Sequence, residues 1–471
     1  MCSNKNKERI IWSLKSEHLI SPIRSWMIVL LNFIDRLIPR FWIFKNIPTL
    51  GGDIYDFSKK GLFKFILDKF NNRNDNEKYN EIRFVHMPLS LIFDGDLSKK
   101  ILLSKNVGRG KTYDRLTDFF GYGIFTSKIH DKWLHQRRLV LSLFTKKNLS
   151  LVTTELTNSM FKELDRLIAC GDHFDLVSLL SQIGLVGFCD VFFGVDIKDI
   201  SSSLIAPLNR LLVYINGAAE PFVIKMDPAY RAYAKDKKFV HKWMHELIDR
   251  AKKSTKCHPI IAAELHRDDL DIKELGEFVL SIVLGGHETT ARLMLGIIYC
   301  IYHDNQCIDK LNAETHSYLN EKSNYEFDIL KQSYLNKIIK EGTRLFPPVW
   351  ILGRETFADL EIDNILFKKG TQFLISPLIF LRDEKIWGSD AEIFKPERFD
   401  KLTTEQKNIF IPFVVGIENC PGKLFAELEA SIVVSKLFYH YQIKFLEHSI
   451  NPTSAGTFRL TDVLPVQITK K

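Results

Sequence analysis

The stretch Phe413-Val414-Val415-Gly416-Ile417-Glu418-Asn419-Cys420-Pro421-Gly422 delivers a lone cysteine to the start of a long helical pattern, Leu424 to Tyr441. Pro421 suits a first helical turn, where its missing N–H costs nothing, so Cys420 falls beside the positive end of the helix dipole. That position favours thiolate over thiol. Gly416 and Gly422 allow a sharp turn and leave backbone N–H groups to aim at the sulfur. A bare Cys-Pro-Gly is more often a buried, inert cysteine, so its meaning depends on what else the chain carries. Between Leu275 and Ile301 an apolar helical pattern is interrupted by Gly285-Gly286-His287-Glu288-Thr289-Thr290. Paired glycines and hydroxyls weaken regular helical bonding and predict a kink, where an acid and a hydroxyl can hold water and relay protons. Glu341 and Arg344 lie three apart on one face of a helix running from about Tyr334 to Pro347-Pro348. Trp133 and Arg137, four apart, put an indole N–H and a guanidinium on one face, where both reach a single anion.

The elements that must position these groups are mostly helical in pattern, with strand-like alternation confined to short pieces such as Ile82 to Val85 and Leu360 to Ile365. The chain has 471 residues, 45% of them hydrophobic and 12% aromatic, which is ample for a large core and excludes a disordered or fibrous chain. Its seven cysteines form no Cys-x-x-Cys pair and are too sparse for a disulfide scaffold, as in a reducing compartment. A net charge of +8, from 65 basic against 57 acidic residues, is mild for this length and does not imply nucleic acid. No run reaches the roughly 20 apolar residues a bilayer span needs. Ser25 to Phe44 mixes apolar residues with Arg36 and Arg40 as an interfacial helix does, and packing onto the body is the equal alternative. A cytoplasmic protein with peripheral membrane contact is the expectation.

In this order, these patterns resemble the cytochrome P-450 superfamily. Its cysteine loop reads Phe-x-x-Gly-x-Arg-x-Cys-x-Gly, matched by Phe413, Gly416, Cys420 and Gly422. The resemblance implies that Cys420 is the sulfur ligand to heme iron, donating electron density that promotes O–O cleavage. It makes Glu288 and Thr289 the catalytic pair, Thr289 bonding dioxygen and Glu288 feeding the proton path. It joins Arg398, in Lys395-Pro396-Glu397-Arg398-Phe399, to Glu341 and Arg344 in a buried charge network that is structural. It gives Trp133, Arg137 and Arg354 to the heme propionates. Glu418 departs from the pattern, standing where the family has a basic residue for a propionate. Glu418 turned outward, propionates held by other bases, and a looser grip on heme are three ways to accommodate it. The second is the expectation, with Trp133, Arg137 and Arg354 compensating.

The resemblance further implies a mainly α fold with a minor β-sheet, residues 45–471 forming one heme-thiolate domain after an N-terminal segment, 1–44. Heme b would lie between distal and proximal helices, and the reaction would insert one oxygen atom of dioxygen into a C–H bond. No flavin or iron–sulfur module is visible, so a separate reductase or ferredoxin is expected, with Lys132, Arg138, Lys146, Lys147 and Lys423 as docking charges. Phe119, Phe120, Phe222, Leu284, Trp350 and Phe458 suit a hydrophobic substrate, whether fatty acyl, terpenoid or sterol. Two competitors are a heme-thiolate isomerase, dehydratase or peroxygenase, which commonly lacks the acid and threonine, and a non-enzymatic heme sensor, suggested by Glu418.

Overall fold

The computed structural model describes residues 63–74, 77–84, 87–217, 230–322, 325–447, 450 and 452–471. The segment 25–44 and Phe222 lie outside them. Helices dominate: α1 (Gly95–Leu103), α2 (His130–Leu143), α3 (Lys146–Ile168), α4 (Leu176–Phe188), α5 (Lys198–Gly217), α6 (Tyr230–Lys253), α7 (Ile272–Tyr302), α8 (Asn305–Glu321), α9 (Ser333–Leu345) and α10 (Lys423–His440). Five of them start where a short polar side chain takes a free N–H of the first turn: Asp94, Thr145, Asp175, Asp271 and Asp304 cap α1, α3, α4, α7 and α8. Each such cap stabilises by about 1 kcal/mol.

The strands are short: β1 (Tyr79–Phe84), β2 (Met87–Ile92), β3 (Val107–Gly108), β4 (His173–Asp175), β5 (Leu352–Thr356), β6 (Leu360–Ile362), β7 (Ile365–Phe367), β8 (Gln372–Ile375), β9 (Tyr441–Phe445), β10 (Thr453–Ala455), β11 (Thr457–Arg459) and β12 (Pro465–Lys470). They form one five-stranded sheet in the order β1-β2-β8-β5-β3, a three-stranded sheet β4-β12-β9, and the hairpins β6-β7 and β10-β11. Among the described residues only β2 and β8 run parallel. The expected α-rich architecture with small sheets is therefore the one observed.

α7 is apolar around most of its surface and is buried accordingly, packed against α4, α6, α9 and α10. Two glycines let it approach α9. A Cβ on Gly342 would lie 2.1 Å from Ile297 Cγ1, and one on Gly296 would lie 2.4 Å from the Phe346 ring. A second, smaller core lies under the five-stranded sheet, where Leu97, Ile101, Phe373, Phe380 and Trp387 meet. Among the described residues one helical run, Leu176–Phe193, is long and apolar enough to cross a membrane, and 89% of it is buried inside the protein.

Two local expectations change, at Leu360 to Ile365 and at Pro421. Leu360 to Ile365 is not one strand but β6, a two-residue turn and the start of β7. Asp363 and Asn364 both take left-handed φ, 52° and 63°, which a tight hairpin turn requires and which Asp and Asn tolerate. The Gly285 to Thr290 run lies within α7, which is helical from Ile272 to Tyr302. Its glycines admit aromatic neighbours, since Cβ atoms there would lie 2.7 Å from the Phe125 and Phe188 rings. Pro421 lies outside α10, whose N-cap is Gly422.

Candidate functional site

The cysteine loop is a tight turn held by its own backbone. The Cys420 N–H donates to the Phe413 carbonyl at 2.9 Å and the Asn419 N–H to that of Gly416 at 3.2 Å. Val414 and Gly416 adopt left-handed φ, 63° and 82°. At Gly416 a side chain would strike the Leu102 carbonyl, so glycine is required twice over. Among the described cysteines only Cys170 and Cys420 are exposed. The Gly422 N–H hydrogen-bonds to the Cys420 sulfur, as the sequence suggested. Without a bound cation the surroundings act against the thiolate. Crowding by the surrounding protein pushes the thiol up, outweighing the Gly422 N–H and the Arg137 guanidinium. A bound cation is what deprotonates such a thiol.

Around this loop the fold assembles cations from distant parts of the sequence. Trp133 and Arg137 come from α2, Arg354 from β5, and Arg109 from the turn after β3. The Arg137 guanidinium lies 5.5 Å and that of Arg109 5.8 Å from the Trp133 ring centroid. Arg137 Nη2 donates to Asn419 Oδ1, next to Cys420. Arg354 Nη1 donates to its neighbour Gly353's carbonyl at 2.8 Å and more weakly to Tyr113 Oη at 3.4 Å. Glu418 is not turned outward. Its Oε1 lies 3.8 Å from Arg109 Nε and its Oε2 3.3 Å from Arg354 Nη2, with all three side chains mostly buried. The second contact pairs charges without hydrogen-bond alignment, so Oε2 lacks a donor. Burial lowers the Arg109 pKa, with Glu418 opposing the shift. Arg109 was missed in the sequence, although Gly108-Arg109-Gly110 is the kind of loop that brings a backbone close to a partner.

On α7 the Thr289 hydroxyl donates to the Gly285 carbonyl one turn back at 2.9 Å, and Thr290 to that of Gly286 at 3.2 Å. Glu288 is buried in a cationic cluster. Its Oε1 accepts from Arg292 Nε at 3.1 Å and from Thr457 Oγ1 at 3.4 Å, with Arg459 Nη2 3.9 Å away. Arg292 and Arg459 hold the Glu288 carboxyl below its usual range against the cost of burial. The four-residue step from Glu288 to Arg292 was a legible signal for this pair. Glu429 of α10, beside Thr290, is fully buried with Oε2 unpartnered, and burial pushes its carboxyl up to about 8.

The Glu341, Arg344 and Arg398 network is assembled as expected. Arg344 grips Glu341 with two hydrogen bonds of 2.8 Å, both side chains fully buried, and Arg398 Nε reaches Glu341 at 3.3 Å. The Lys395 N–H and Asp390 complete it. Of the docking charges, Arg138, Lys146 and Lys147 are exposed. Lys423 pairs loosely with Glu427 at 3.8 Å. Lys132 is not a free charge, because it bridges Glu274 and Glu277 of α7 at 3.1 Å each.

The donor set fits heme b. Trp133 Nε1 is a buried donor with no acceptor among the described residues, Arg109 and Arg137 lie over its ring, and Arg109 and Arg354 both face the Glu418 carboxylate. Such a cluster suits carboxylates at the edge of a cofactor, next to an accessible thiol. Fold and site together define a heme-thiolate protein. The Cytochrome P-450 family profile matches residues 39–466, and the chain belongs to that family. A cytochrome P-450-like protein of Acanthamoeba polyphaga mimivirus is 54% identical over 98% of both chains. A cytokinin hydroxylase of Arabidopsis thaliana is 23% identical over 77% of this chain and 74% of its own. A crystal structure of a cytochrome P-450 superposes with a TM-score of 0.73 at 20% identity, covering 86% of this chain and 94% of that one. The protein is a heme-thiolate monooxygenase that binds heme b and uses dioxygen, an organic substrate and a redox partner.

Proposed function

We propose that this enzyme hydroxylates a hydrophobic substrate, with Cys420 as the thiolate ligand of heme b. One observation carries the ligand assignment: an accessible cysteine, with an N–H on its sulfur, stands beside a guanidinium cluster containing the unpartnered Trp133 donor. Phe413, Gly416 and Gly422 shape the loop, and Trp133, Arg109, Arg137 and Arg354 receive the propionates. Heme b supplies dioxygen activation, pushed toward O–O cleavage by the thiolate. The Thr289 hydroxyl, donating to its own helix, keeps its lone pairs free to accept a hydrogen bond. Glu288 must leave Arg292 to take up a proton from solvent and pass it on. Glu341, Arg344 and Arg398 keep the region rigid and take no part in chemistry.

A long-chain acyl, terpenoid or sterol substrate is supported by the buried apolar character of Phe119, Phe120, Leu284, Trp350 and Phe458. The electrons come from a separate acidic donor protein docking on Arg138, Lys146 and Lys147, whose exposure supports the assignment. Residues 45–471 form one domain, and segment 25–44 rests on a membrane surface, supported by its amphipathic sequence alone. The test is the reduced carbon-monoxide difference spectrum of wild type beside Cys420→Ser, normalised to heme content. The expected result is a red-shifted Soret band in wild type that is lost in the variant. Full heme loading of wild type without that band overturns the thiolate assignment.

A further inference from the structure

We infer that Glu418 is a positioning residue for the cofactor: a fixed negative charge that braces Arg109 and Arg354 and holds down the reduction potential of the heme. The inference rests on the reading that the guanidinium cluster receives the propionates. Three features carry it. Glu418 lies between two guanidiniums from unrelated parts of the chain, 3.8 Å from Arg109 Nε and 3.3 Å from Arg354 Nη2, and among the described residues it is the one carboxylate that pairs with either. Those guanidiniums are themselves mostly buried, so without a carboxylate between them two like charges would face each other with little water to screen them. The neighbouring donors are spoken for or aimed elsewhere: Arg137 reaches Asn419, and Arg109 Nη1 reaches the Ile124 carbonyl.

The charge count gives the brace a second effect. Arg109, Arg137 and Arg354 are three cations, and Glu418 with the two propionates of heme b makes three anions. A basic residue at position 418 would leave four cations against two anions. The balanced arrangement keeps one more negative charge, and one fewer positive charge, close to the iron. Negative charge stabilises the ferric ion over the ferrous one, because the ferric ion carries the larger positive charge. Glu418 therefore lowers the midpoint potential, and the heme is harder to reduce than it would be with a basic residue in the same place.

The test uses the purified holoprotein and three variants: Glu418→Asp, which keeps the charge, Glu418→Gln, which keeps the shape, and Glu418→Arg, which inverts the charge. The ferric–ferrous couple is titrated anaerobically in each. At a fixed potential the ferrous-to-ferric ratio should rise roughly threefold to tenfold in Glu418→Gln, tenfold being about 59 mV for one electron. It should rise further in Glu418→Arg and stay near wild type in Glu418→Asp. A merely structural role would not order the potentials by charge. Equal potentials in all four heme-loaded proteins overturn the inference and leave the cradle intact. A wild type that takes up no heme, or an Arg354→Gln and Trp133→Phe pair that releases heme to excess apomyoglobin no faster than wild type, overturns the underlying reading and the inference with it.

Discussion

Single residues show where local chemistry is decided by the fold rather than by neighbours in sequence. Glu429 sits mid-helix, where sequence shows an acid just ahead of a long apolar run, yet burial lifts its carboxyl from the ordinary 4.5 to about 8. Between those values the folded protein holds a proton that the unfolded chain has released. Folding is therefore progressively disfavoured as pH rises through that window, and the penalty is absent below it. Glu429→Gln removes the titration. In urea denaturation, the variant should gain on wild type by up to about 1.4 kcal/mol per pH unit between pH 5 and pH 8. A stability difference that does not change with pH would show the carboxyl to be ionised in the fold. The cysteine loop was legible because all its parts are contiguous. Arg109 was not, because its partner Glu418 lies at the other end of the sequence and only the fold pairs them. Glu288 was read correctly as a helix residue, but its two arginine partners were not seen. One is a turn away on the same helix and the other arrives on a distant hairpin.

Among elements, the long helices were the most legible. Leu275 to Ile301 became Ile272–Tyr302 because a buried helix announces itself by sustained apolar content. The glycines within it also serve as contact points, where the Phe125 and Phe188 rings press against the helix. The same logic makes Gly342 a sharp test of the crossing between α7 and α9. Alanine there would improve helix propensity by about 1 kcal/mol, but its Cβ would fall 2.1 Å from Ile297. Overpacking costs typically 1–3 kcal/mol, about the same or more. Thermal unfolding of Gly342→Ala should show a net loss, and a gain would mean the helices part without strain. Beside it, Arg344→Ala leaves Glu341 buried with one of its two arginine partners gone. A cost of roughly 3 to 5 kcal/mol is expected, seen as a lowered denaturation midpoint and as loss of heme on expression. The hairpin at Asp363-Asn364 was missed because two left-handed residues have no strong sequence mark without glycine.

For the molecule as a whole, charge placement matters more than net charge. The basic residues Arg138, Lys146 and Lys147 lie exposed on α2 and the start of α3. Reversing two of them, as Arg138→Glu with Lys147→Glu, should slow reduction by an acidic electron donor at low salt, with wild type and variant converging as ionic strength rises. Stopped-flow reduction at two salt concentrations checks this, and a salt-independent difference would point to a fault in folding instead. The five-stranded sheet has a further consequence, for the chain while it is being made. Ile92 of β2 finds Ile375 of β8 as its parallel neighbour, and Asp175 of β4 finds Pro465 of β12. At ordinary translation speed the first pair must wait roughly 15 to 60 s between the two synthetic events. Throughout that interval β1 and β2 leave the ribosome as a hairpin with one edge open. The newborn chain is then most exposed to mispairing in the sheet that carries Arg354, so chaperone supply should govern yield before heme supply does.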